Sequence, residues 1–139
     1  MNIKPITVET IVKSPISKVW TFWNKPEHIV NWAFASEDWE APAAKNDLRV
    51  GGRFTTTMAA KDKSYSFDFC GTYTSVKENE LNEYDMDDGR HAKIEFMKIP
   101  EGVKVKTTFD PESENSIELQ RNGWQAISDN FKKYAQSIS

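Results

Sequence analysis

The chain is poor in the residues that carry the most readable chemistry. Cys70 is its single cysteine, so neither a disulfide framework nor a Cys-rich metal site can be built, and a reducing cytoplasm is the expected compartment. Only two histidines are present, His28 and His91, far apart and without Glu-x-x-His or comparable spacing; both are read as solvent-exposed, and no metal site is assigned. Basic clusters are missing beyond Lys132 and Lys133, and the formal charge is -3, which speaks against a nucleic-acid or anionic-membrane partner. Long apolar runs are missing too. Residues 1–12 alternate polar and apolar side chains, so neither an export signal nor membrane insertion is expected.

What the chain does have is aromatic bulk, with five Trp and eight Phe spread over every predicted element. Such a supply fills a core or lines a cavity. The length of 139 residues suits one domain, taken as 1–139, with one sizeable core.

Residues 3–13 read as a first strand, with Ile6, Val8, Thr10 and Val12 on one face. Ser14 is the expected N-cap and Pro15 the first residue of a helix whose buried stripe is Ile16, Val19, Trp20 and Trp23. A second short helix is expected from Pro26 to Trp32. Residues 34–48 lack useful periodicity and are taken as loop and edge strand. Paired Gly51 and Gly52 then turn into a strand with Phe54, Thr56 and Met58 on one side. Further strands follow at 65–76, 81–86, 91–99 and 103–109, joined by short turns at Asn79-Glu80, Asp87-Asp88-Gly89 and Pro100-Glu101-Gly102. Short links imply an antiparallel sheet, because parallel pairs need long crossovers.

Ile117 to Ile138 reads as one long amphipathic helix. Trp124, Ile127, Phe131, Tyr134 and Ile138 form a stripe at alternating steps of three and four, and Asn115 with Glu118 suggests a capping box. Phe131, Tyr134 and Ile138 are expected to be core. Gln120 and Gly123 interrupt the pattern: one puts an amide on the apolar face, and the other is a mid-helix glycine worth about 1 kcal/mol of lost stability relative to alanine. Gly123 admits two reasons, a close approach of the helix to the sheet or room left for a ligand. The expected architecture is α+β: a curved antiparallel sheet of about six to seven strands, two short helices after strand 1, and the long C-terminal helix packed across the sheet.

Five stretches carry a family resemblance. They are Ser14-Pro15-Ile16-Ser17-Lys18-Val19-Trp20, Trp23-Asn24-Lys25-Pro26-Glu27-His28 leading to Trp32, Asp47-Leu48-Arg49-Val50-Gly51-Gly52-Arg53-Phe54, Phe69-Cys70-Gly71-Thr72-Tyr73, and Gln120-Arg121-Asn122-Gly123-Trp124. Together they resemble the START-like, or helix-grip, superfamily, and within it the family named after the activator of heat-shock protein 90 ATPase. The resemblance covers nearly the whole chain. It implies a sheet gripping the last helix, with a cavity between them whose mouth is bounded by the short helices. Superfamily relatives bind lipids, sterols, plant hormones or polyketide intermediates there, and only some are enzymes. A chaperone partner is implied by the family's name, although the named co-chaperone uses a further domain for which this chain is too short.

The remaining motifs are read structurally. Asp47 to Gly52 lacks the Lys-Ser/Thr ending of a phosphate loop and no helix follows it, so its glycines are assigned to a turn. Asp85, Asp87 and Asp88 lack calcium-loop spacing and are taken as a solvated turn. Cys70 is taken as an inert thiol. No Ser-His-Asp or Cys-His arrangement appears, and no catalytic residue or cofactor is assigned; Tyr73 and Arg53 are the first side chains to examine for acid–base work. The candidate ligand-binding set is Trp32, Phe34, Phe54, Met58, Phe69, Tyr73, Met86, Phe96, Phe109, Gln120 and Trp124, with Phe67 on the same inward face. Gln120 decides most, because a buried amide must find partners, water or a ligand. The function expected is binding of a small apolar or aromatic, lipid-like molecule. The alternatives are a cyclase or hydrolase using the same cavity, and a co-chaperone-like interaction domain, which requires an apolar patch on the sheet's outer face.

Overall fold

The computed structural model describes residues 4–138. Strand β1 (Ile6–Val12) leads into helices α1 (Ile16–Asn24) and α2 (Pro26–Ile29); β2 (Trp39–Asn46), β3 (Arg53–Ala60), β4 (Ser66–Lys77), β5 (Leu81–Met86), β6 (His91–Ile99) and β7 (Gly102–Phe109) follow, and α3 (Ile117–Ile138) closes the chain. The seven strands form one antiparallel sheet in the order β1-β7-β6-β5-β4-β3-β2. This is the helix-grip architecture expected. Ile3, counted in the expected first strand, lies outside the described residues.

Local chemistry explains the boundaries and shifts three of them. Helix α1 starts after Pro15, which is extended and whose carbonyl accepts from the Lys18 and Val19 amides, so the cap falls one residue later than Ser14. Helix α2 ends at Ile29 rather than Trp32, the chain continuing in turns. The α3 cap is Ser116, whose Oγ accepts from the Leu119 amide at 3.0 Å. Asn115 instead donates through its backbone and side-chain nitrogens to the Glu112 carboxylate, at 2.7 and 3.1 Å, so no Asn115/Glu118 box forms. At the other end of α3, Ile138 is 46% exposed; the buried row is Gln120, Ser128, Phe131 and Ala135.

Helix α3 lies alongside β1. Gln125 Nε2 donates to the Glu9 carbonyl at 2.9 Å, and Gln136 Oε1 accepts from the Lys13 amide at 2.9 Å. Beneath its C-terminal half, Trp20, Trp23, Trp32, Phe96 and Phe131 form one aromatic cluster, with Trp23 and Trp32 meeting the Phe131 ring edge to face at 4.8 and 4.9 Å. His28 is not free in solvent: its Nδ1 pairs with the Tyr134 hydroxyl at 2.6 Å and its ring packs on Phe22, joining α2 to α3.

The Asp47–Gly52 motif is the β2–β3 turn. Gly51 has φ +83, and its amide donates to the Tyr73 carbonyl at 2.8 Å, while Tyr73 donates back to the Gly52 carbonyl at 2.9 Å. A Cβ on Gly52 would sit 2.1 Å from the Asp47 carbonyl oxygen. Arg49 pairs with Asp47 of the same turn, so the motif fixes where β2 and β4 stand relative to one another.

The outer face of the sheet is polar. Glu9, Lys106 and Glu95 align across β1, β7 and β6, and Glu83, Lys93 and Thr108 across β5, β6 and β7. Asp85, Asp87 and Asp88 are each paired, with His91, Arg53 and Arg90 respectively. His91 is held from both ring nitrogens, Nδ1 by Asp85 at 2.7 Å and Nε2 by Glu83 at 2.8 Å. Two carboxylate acceptors require two N–H donors, which is the imidazolium; the hydrogen bond that His91 donates to Asp85 leads in raising its pKa above the ordinary histidine value.

Two outcomes follow. A folded-state pKa raised above the unfolded value means that His91 contributes its full stabilisation below about pH 6.5, and that this is lost as pH rises through the folded pKa. Urea unfolding from pH 6 to 8 should therefore show a loss of stability that His91→Gln removes; parallel profiles for both proteins would refute the pairing. Gly71 faces Phe54 across β3 and β4, and a Cβ there would lie 2.8 Å from the Phe54 ring and from the Asp85 carbonyl. Gly71→Ala should cost about 1–3 kcal/mol in the same measurement, and a change below about 0.5 kcal/mol would show that the ring is not clamped.

Candidate functional site

Because α3 runs beside β1, the concave faces of β3 to β5 are not roofed along their whole length. A pocket of about 530 Å³ lies there, between the sheet and the N-terminal half of α3, with the α1–α2 elbow and the 33–36 loop at its other side. Phe54 sits 4.7 Å from Tyr84 and 5.7 Å from Phe69, and Phe69 meets Trp124 at 6.0 Å. Trp23, Trp32 and Ile29 also line the pocket. Asn130 of α3 donates to the Phe34 carbonyl at 2.9 Å and so places Phe34 at the mouth. Trp39, Tyr65 and Phe67 gather beside it, their ring centroids about 6 Å apart, with Tyr65 61% and Phe67 40% exposed.

Of the residues singled out from sequence, Trp32, Phe34, Phe54, Met58, Phe69, Tyr73, Gln120 and Trp124 line this pocket, as does Phe67. Met86, Phe96 and Phe109 sit elsewhere, in the packed core. Phe96 lies beneath α1 against Trp20, at 5.2 Å. Phe109 is covered by Trp124, stacked at 3.9 Å with the planes 9° apart. Met86 is 5% exposed within the core cluster. Inward direction alone does not separate lining from filling; what lies above each side chain does.

Gln120 does not carry the argument that its burial suggested. Its Oε1 accepts from the Glu112 amide at 2.8 Å, and its Nε2 donates to the Glu112 and Asn115 carbonyls at 3.0 and 2.9 Å. The amide is satisfied by the loop between β7 and α3, which it holds closed. Gly123 resolves the other way: a Cβ there would meet nothing within 4 Å, so close approach to the sheet is not its reason, and it borders the pocket.

The polar groups of the pocket lie on residues that pattern reading passed over. Asn24, the last residue of α1, is 5% exposed and joins three elements. Its Nδ2 donates to the Trp20 carbonyl at 2.9 Å, its Oδ1 accepts from Asn82 Nδ2 at 2.6 Å, and its carbonyl accepts from Asn46 Nδ2 at 2.7 Å. Asn46 Oδ1 in turn accepts from the Tyr73 hydroxyl at 2.6 Å. Burial pushes the Tyr73 and Tyr84 phenols well above their ordinary pKa, so both are neutral donors or acceptors. Asn82 and Tyr84 share a face of β5 with Met86 at a period of two, which is the signal that marks them as inward. Thr107 continues the row, paired with Ile94, itself opposite Asn82.

Tyr73 and Arg53 do not form an acid–base pair. Tyr73 points inward, whereas Arg53 lies on the outer face, bound to Thr72 and Asp87. Cys70, also directed away from the pocket lining, contacts Thr55 Oγ1 at 3.6 Å. Among the described residues no group of three or more His, Cys, Asp or Glu side chains could hold a metal ion, and no helix is long and apolar enough to cross a membrane.

Comparison with known proteins places this geometry. An AHSA1-like protein from Aeromonas hydrophila, solved in solution, is 42% identical over 96% of this chain and 93% of its own, with a TM-score of 0.91. A protein from Cytophaga hutchinsonii is 51% identical over the same shares, with a TM-score of 0.83. One from Nitrosomonas europaea, at 17% identity, a TM-score of 0.82 and coverage of 97% and 96%, shares the fold. Comparison with curated proteins found no match. The profile of the family described as Activator of Hsp90 ATPase homolog 1-like protein matches residues 13–136, and the chain belongs to that family.

Proposed function

We propose that the pocket binds a small apolar or aromatic molecule non-covalently. The observation that carries this reading is the unfilled space itself: about 530 Å³ with aromatic walls falls within the range usual for small-molecule sites. Phe54, Phe69 and Trp124 would contact one side of the ligand and Trp32 the other. Phe34, Met58 and Phe67 complete the lining, and Gly123 leaves room beside them. Gln120 contributes by closing the β7–α3 loop rather than by contact through its amide. A co-chaperone-like role has less support, since the outer face of the sheet carries charged ladders where a partner surface would need an apolar patch. A cytoplasmic setting accords with the single free thiol of Cys70.

The reading predicts opposite effects for two substitutions at one position. Gly123→Ala should stabilise the protein by about 1 kcal/mol, because a methyl group there meets no atom and removes the mid-helix glycine. Gly123→Phe should leave the fold intact and abolish binding by occupying the space. In a thermal-shift screen of fatty acids, sterols and flavonoids, a ligand at one hundred times its Kd should add about 2.7 kcal/mol to the wild type and nothing to Gly123→Phe. No stabilisation by any class, or equal stabilisation of both proteins, would refute the site.

A further inference from the structure

The pocket's polar wall has a direction. A backbone carbonyl can only accept, so the Trp20 carbonyl obliges Asn24 to present its NH₂ group, which turns Asn24 Oδ1 toward Asn82. Asn82 must then donate through Nδ2, and its own Oδ1 is left over. That oxygen is buried without a hydrogen-bond partner, on a residue 2% exposed that lines the pocket. A second branch runs the same way. The Asn24 carbonyl obliges Asn46 to donate, so Asn46 Oδ1 faces Tyr73, and the Tyr73 hydroxyl spends its only proton there. What Tyr73 retains is lone pairs.

Both branches therefore end in acceptors on residues that line the pocket. Thr107 Oγ1, also buried without a partner and 2% exposed, and the Tyr84 hydroxyl are the adaptable groups of the lining, each able to donate or accept. Formal charge on the lining is balanced. Arg90 is engaged by Asp88 at 2.8 Å and by the Asp110 carbonyl at 3.4 Å, while the Glu112 carboxylate holds Asn115. Among the described residues of the lining, the one cation, Arg90, is already ion-paired with Asp88.

We propose that the pocket selects an apolar or aromatic ligand bearing hydrogen-bond donors, such as a phenol, an alcohol or an amide N–H, and discriminates against carboxylates, because Asn82 and Tyr73 are held as acceptors by Asn24. This specificity rests on the small-molecule reading above. A donor reaching Asn82 Oδ1 satisfies an oxygen otherwise left unpaired, whereas an ether brings only a second acceptor and a carboxylate adds charge.

The test is a matched series of 4-phenylphenol, 4-methoxybiphenyl and biphenyl-4-carboxylate, titrated into the ¹⁵N-labelled full chain by NMR. The phenol should bind about tenfold or more tightly than either analogue. Asn82→Leu and Tyr73→Phe, each removing one acceptor, should narrow that ratio severalfold. Equal binding of phenol and ether, or preference for the carboxylate, overturns the donor specificity and leaves the binding site standing. If none of the three binds, the small-molecule reading falls and the specificity with it. The wild-type ratio decides the question even where a variant folds poorly.

Discussion

A single helix cannot cover seven strands. Six inter-strand spacings of about 4.8 Å carry the sheet across some 29 Å, whereas a helix with its side chains is about 10–12 Å wide. Helix α3 is fastened at one side, where Gln125 and Gln136 bind the backbone of β1 and the residue after it. Curvature brings the far strands back toward it, and the α1–α2 elbow fills part of the remainder with Trp20, Trp23 and Trp32. What is left over, above β3 to β5, is the pocket. Its existence follows from widths and from where the helix is tied, so it needs no dedicated motif.

Polar groups placed in such a cleft must be satisfied by one another. Asn24 does this for three elements at once, accepting from β2 and β5 while donating back to its own helix. The Asp47–Gly52 turn acts on the same network from outside. By exchanging backbone hydrogen bonds with Tyr73, it places the Tyr73 hydroxyl and the neighbouring Asn46 amide within reach of each other. A family motif that looks like an anion loop in isolation is thereby a positioning device for a hydroxyl of the pocket lining.

Much of the fold was legible because periodicity reports which way a side chain points. The bounds of α3, the hairpin turns and the inward rows of β3, β4, β6 and β7 all follow from steps of two or of three and four. The site was legible only in part. Phe109 and Phe54 look alike in sequence, both aromatic and inward, yet Trp124 covers one and not the other, and that distinction lies in the third dimension. Gln120, the amide that interrupts an apolar stripe, is sealed by its own loop. Asn24, the amide that ends a helix, is the hub. Hydrogen-bond partners are set by distances across 22 and 58 residues of chain, to which a local pattern is blind.

The attachment of α3 has another result, concerning association between molecules. An open sheet has two borders, each a potential template on which a foreign strand can pair. At β1 the helix's glutamines take up backbone groups that an incoming strand would use. At β2 the ladder is interrupted between Glu40 and Ala43, where Pro42 supplies no N–H. Strand exchange and fibril-like stacking are thus opposed at both borders by unrelated means, and a protein with an unroofed apolar cleft keeps its backbone unavailable to its neighbours.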